Sequence, residues 1–188
     1  SIKSDPLDDI DRLVFDYYGL DAHEVALIED TFKFIIPAMQ PRRSAGLQKI
    51  WANSNYEQRA GYAATLRAAL APCFRQPIHA SLAARSGDAA VLKLTLSSVD
   101  DEYREDLSPE VGPFLQAIQA SLPVRLPGNV QVVPDLRFVI GSDMYLVKPM
   151  QLRHWMRSTA LADAEQIAAE FSAAVAHHSQ TGGQHAGR

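Results

Sequence analysis

The densest set of groups able to grip a ligand lies between Lys148 and Arg157, where Lys148, Arg153, His154, Trp155 and Arg157 fall within ten residues. Cationic side chains supply phosphate contacts, and an indole supplies a plane on which a base stacks. Arg42 and Arg43, in a stretch opened by Pro41, add to this nucleic-acid or partner-binding set. The same residues also admit a purely architectural role. Trp155 then anchors the last helix on a sheet, and the arginines cap that helix or pair with Asp163. Both readings stay open at this level.

Other chemistry is poorly served. Metal-assisted phosphodiester cleavage needs clustered carboxylates and a lysine on a strand pair. Asp135 after Pro134 and Lys148 offer part of that, but Leu146 stands where a second carboxylate is needed. A small nuclease built on Asp135 and Lys148 is therefore the alternative to a binding function. No phosphate-cradling glycine loop, nucleophile elbow or zinc-protease helix occurs. Cys73 is the sole cysteine and reads as a small core residue at a helix end. His177-His178 reads as a helix end, and the run from Asp100 to Asp106, which includes Glu102 and Glu105, as a solvated acidic loop. No catalytic residue, metal ligand set or cofactor is expected.

The 188 residues suit one domain, or one with a helical extension. A 47% hydrophobic content allows a real core, and a net charge of −4 argues against bulk attraction to nucleic acid. No apolar run reaches the ~20 residues of a membrane span, and the polar start does not resemble a signal peptide, so a cytoplasmic location is expected.

These groups need a scaffold, and hydrophobic periodicity suggests one. Asp5-Pro6 opens a helix with Ile10, Leu13, Val14 and Tyr17 on one stripe, and Gly19 closes it as a left-handed cap. Asp21 and Glu24 form a capping box for a second helix, so the two make a helical hairpin ended by Pro37 and Pro41. Ser54 and Glu57 cap a third, from Asn55 to about Cys73. Runs at 78–84 and 90–98, with Arg85-Ser86-Gly87-Asp88 between, make one strand hairpin. After a helix from Ser108-Pro109-Glu110 to about Leu122, runs at 130–133, 136–140 and 144–148 supply the second hairpin. A long helix from Leu152 to about His177 ends the fold.

The expected class is α+β: N-terminal helices, an antiparallel sheet of about four strands from two hairpins covered on one face, and a long C-terminal helix. The expected division is a helical part, 1–75, and an α+β part, 76–178, together one compact unit, followed by a disordered tail, 179–188.

The phrase from Ile10 to Leu20, then Glu24 and Ile28-Glu29, resembles adenine-specific DNA methyltransferases of restriction–modification and phage-defence systems. There a helix ending in Tyr-Gly-Leu, followed by an acidic capped helix, lies C-terminal to the catalytic domain. The phrases Tyr145–Pro149, Arg153–Trp155 and Ala160–Ala164 resemble the ends of such proteins more weakly. The chain departs from the family in lacking its Asn/Asp-Pro-Pro-Tyr/Phe motif and its glycine-rich cofactor loop. The resemblance implies an accessory region or separate subunit, a binding or assembly module contacting DNA or a partner such as the methyltransferase subunit.

Overall fold

The computed structural model describes residues 6–40, 50–97, 103–105, 109–121 and 136–182. They fall into two compact units that divide between Lys49 and Ile50. The expected boundary near residue 75 moves because the helix at 56–70 packs into the sheet unit. Arg42, Arg43 and Asp135 lie outside the described residues, as does most of the acidic run from Asp100 to Asp106. So do the run at 130–133 and the tail from residue 183, while the last helix continues to Gly182, past the expected end near His177.

The first unit begins with helix α1, Pro6–Tyr18. Gly19 takes φ +65° and ends it: the Gly19 N–H donates to the Asp16 carbonyl at 3.1 Å and the Leu20 N–H to the Phe15 carbonyl at 3.0 Å. This paired return satisfies two of the carbonyls a helix end leaves open. Helix α2, Ala22–Asp30, starts at once because Asp21 Oδ1 accepts from the His23 and Glu24 N–H groups, and Glu24 Oε2 accepts from the Asp21 N–H. The helix then widens through one π turn, Thr31–Ile35, before α3, Ile36–Met39. Pro37 lacks an N–H and its ring crowds the carbonyl four residues back, and the wider turn relieves both effects. The expected hairpin is not a packed one. Among the described residues α1 makes no extensive contact along α2.

The second unit is a four-stranded antiparallel sheet with helices on both faces. Its strands are β1, Ile78–Arg85, β2, Ala89–Leu96, β3, Leu136–Ile140, and β4, Asp143–Pro149, in the order β1-β2-β4-β3. Each hairpin is short enough to pair its own strands, and β4 then docks on β2 from Ala89↔Pro149 to Thr95↔Asp143. Gly141, at φ +61°, supplies the reversal between β3 and β4.

Helix α4, Tyr56–Leu70, and helix α6, Arg157–Gly182, cover one face. Tyr62, Leu66 and Leu70 of α4 and Ala160, Ala164 and Ile167 of α6 meet Leu82, Leu92, Leu94 and Leu146 there. The cap of α4 is Asn55 with Gln58, one residue beyond the expected Ser54 and Glu57. A bulge between Leu82 and Ala84 turns the end of β1, so Ala84 joins Val91 and Val147 on the opposite face. Helix α5, Val111–Ser121, covers that second core with Val111, Phe114 and Leu115. Cover on one face only was expected. The alanines and valines at the β1–β2 turn have apolar neighbours on both sides, which period-two alternation does not reveal. Among the described residues no helix is long and apolar enough to cross a membrane.

Candidate interaction surfaces

The junction between β4 and α6 separates the five clustered residues rather than presenting them together. Lys148 is 1% exposed and Trp155 is 2% exposed. The Lys148 ammonium donates to Asp163 Oδ2 at 2.5 Å and sits 4.7 Å from the centre of the Tyr62 ring. The Tyr62 hydroxyl donates to the same carboxylate oxygen. Trp155 donates from Nε1 to the Pro149 carbonyl at 2.7 Å and packs edge-on against Tyr62, with ring centres 5.2 Å apart. Asp163 therefore pairs with Lys148, not with the arginines. A buried charge needs this kind of company, because an unpaired one costs several kcal/mol. With Trp155 in the core and Lys148 already holding a carboxylate, neither presents a contact to a surface ligand, and Lys148 is not free to serve a nuclease centre.

Arg153 and Arg157 remain exposed, and His154 is half-buried. Arg153 lies over the ring of Trp51, 4.1 Å from its centre, and donates from Nε to His154 Nε2 at 3.0 Å. Trp51 is 49% exposed. It reaches this place because the 52–54 segment pairs with the exit of β4. The Leu152 N–H donates to the Ala52 carbonyl, the Ser54 N–H to the Met150 carbonyl, and Asn53 Nδ2 to the Gly87 carbonyl. Sequence reasoning missed Trp51, which stands in a stretch with no periodicity to give its direction. The indole at this surface is Trp51 rather than Trp155.

Glu105, expected in a solvated loop, is instead pinned to the sheet unit. Arg59 donates to Oε1 at 2.6 Å from Nε and to Oε2 at 2.9 Å from its terminal nitrogen, and the Tyr103 hydroxyl donates to Oε1 at 2.6 Å. Burial alone would raise the Glu105 pKa, but the Arg59 and Tyr103 hydrogen bonds outweigh it and hold it low. Burial and the adjoining carboxylate push the Tyr103 phenol well above its ordinary range. The chain at 103–105 also bridges the β1 edge, with the Leu82 N–H donating to the Arg104 carbonyl. These bonds tie the 103–105 segment to α4.

Two further places carry groups that sequence reasoning did not single out. On the sheet face beside α5, Lys93 pairs with Asp143 at 2.7 Å, and Thr95 donates to the same carboxylate at 2.7 Å. The polar alternation of Lys93 and Thr95 in β2 was the visible signal. At the β3–β4 turn an apolar cleft of about 230 Å³ opens between Phe74, Leu96, Val139 and Phe171, with no ionisable side chain in its lining. Cys73, expected to be buried, is exposed because α4 gives way to a short turn at Ala71–Cys73.

The first unit presents the opposite situation. Ile10, Leu13, Val14, Tyr17 and Tyr18 of α1 are all exposed, Leu13 at 70% and Tyr17 at 84%. Positions 10, 13, 14 and 17 are the stripe that an amphipathic helix ordinarily buries. Single exposed apolar residues are normal, but a whole stripe marks a surface that meets something. Comparison of the chain with protein-family models, with characterised proteins and with solved structures finds no match.

Proposed function

We propose that this chain is a non-catalytic binding and assembly module whose N-terminal helical unit docks on a partner. One observation carries the reading. The apolar stripe of α1 is exposed, while in the sheet unit Lys148 is paired with Asp163 and Arg59 with Glu105. A DNA-modification or anti-phage defence complex is the setting we favour. Its support is the resemblance over Ile10 to Glu29, the phrase that forms most of α1, the Gly19 cap and most of α2. The flanking coding sequence, read for an adenine methyltransferase subunit, and co-expression of this chain with any such subunit test it. The tagged chain should retain that subunit, and Leu13→Asp with Tyr17→Asp should release it. Equal retention by both forms, or none by the wild type, would overturn the reading.

A second contact, to nucleic acid, is favoured by the Arg153–Trp51 stack with Arg157 exposed nearby in sequence. Arginine over an exposed indole offers phosphate pairing and a stacking plane together. Arg153→Ala with Arg157→Ala should weaken DNA binding equally across sequences and flatten its dependence on salt, as released counterions require. Unaltered anisotropy titrations of labelled DNA would remove this surface from consideration.

A further inference from the structure

We infer that the surface receiving α1 is a protein groove with an apolar floor and a rim of lysine or arginine side chains. This rests on the docking reading above and adds the chemistry of the partner. Residues 6–40 hold eight carboxylates, Asp8, Asp9, Asp11, Asp16, Asp21, Glu24, Glu29 and Asp30, against two cations, Arg12 and Lys33, a net of −6. The whole chain is −4, so the remainder is net positive. The negative charge is therefore concentrated on the helical stretch 6–40 that exposes the stripe; the whole unit, 1–49, also carries Lys3, Asp5, Arg42, Arg43 and Lys49 and is −3, against −1 for 50–188.

The charge is placed along the stripe as well. At the helical period Asp11 follows one edge of the line through Ile10, Leu13, Val14 and Tyr17, and Asp16 follows the other. Both are exposed, and Arg12 lies toward the back. A partner that covers the stripe must bring its rim up to both carboxylates. A cationic rim pairs with them, whereas an acidic rim, or α1 of a second copy, would set like charges face to face. An anionic membrane surface is disfavoured for the same reason.

The test uses the full chain and two synthetic amphipathic helical peptides longer than ~15 residues, so that each holds a helix. Both carry leucine at the helical spacing, one flanked by lysine and one by glutamate. Calorimetry or anisotropy should show the lysine peptide binding about tenfold or more tighter at low salt, from several rim pairs, with the gap closing in high salt. Asp11→Asn with Asp16→Asn should narrow the gap between peptides. Leu13→Asp with Tyr17→Asp should abolish binding of both while far-UV circular dichroism keeps its helical signal. Equal binding of the two peptides, lost in the apolar variant, would overturn the cationic rim and leave the docking reading standing. Binding indifferent to the apolar variant, or no binding to either peptide, would overturn both. A stripe-dependent dimer in sedimentation velocity, or recruitment to phosphatidylcholine–phosphatidylserine vesicles, would identify a different occupant and overturn the rim.

Discussion

The two units use the same materials for opposite ends. In the sheet unit, Leu66, Leu92, Leu146 and Ile167 are 2% exposed or less, and the buried Lys148 and Tyr62 both donate to the Asp163 carboxylate among them. In the N-terminal unit the side chains of α1 at helical spacing stand in solvent, and carboxylates line their edges. Hydrophobic burial drives folding in the first case. In the second the stripe of α1 is not buried within its own unit, with local caps at Gly19 and Asp21 keeping the helices in shape. An amphipathic pattern thus states that a face will be covered. It does not state by what.

The comparison breaks first if the sheet unit's buried pair is dispensable. Lys148→Met strands Asp163 in the core and should cost ~3–5 kcal/mol in urea unfolding. Lys148→Met with Asp163→Leu should recover most of that loss, since a buried pair is often neutral against apolar residues of similar volume. Trp155→Ala belongs to the same class, at ~3–5 kcal/mol. A Lys148→Met variant as stable as wild type would show that this interior is wet or loosely packed.

The Arg59–Glu105 pin should come next. Because the folded state holds the Glu105 pKa below its ordinary value, its contribution is fully present above the unfolded pKa, ~4.3. The contribution then fades as pH falls through the folded value. Glu105→Gln should lose ~1.5–3 kcal/mol at neutral pH and show a shallower fall in stability on acidification. Parallel acid limbs for variant and wild type would remove the pin from the account. Smaller again is Gly19→Val, at ~1–2 kcal/mol for a branched side chain forced to positive φ, read as lost helical signal from the arm.

Much of the fold was legible in the sequence, because the signals for it are local. Gly19 after an apolar stripe, Asp21 three residues before Glu24, and Leu92, Leu94 and Leu96 alternating with Lys93 and Thr95 each fix an element from neighbours alone. The long-range facts were not legible. Lys148 and Trp155 admitted both a ligand-facing and an architectural reading, because the partners that decide it, Asp163 and Tyr62, lie on other elements. Trp51 reaches Arg153 only through the pairing of the 52–54 segment with the β4 exit. Glu105 looked solvated because Arg59 is 46 residues away. The stripe on α1 was readable as a stripe, and nothing in its spacing said that its own unit would leave it exposed.

That exposure is the point on which the docking account turns, and one unfolding experiment reaches it directly. Leu13→Asp with Tyr17→Asp places two charges on side chains that are 70% and 84% exposed. If the stripe is a surface awaiting a partner, the urea midpoint and slope of the isolated chain should stay within ~0.5 kcal/mol of wild type. A loss of ~2–5 kcal/mol, the cost of disturbing buried apolar side chains, would show that α1 belongs to a core of this chain and would contradict the account.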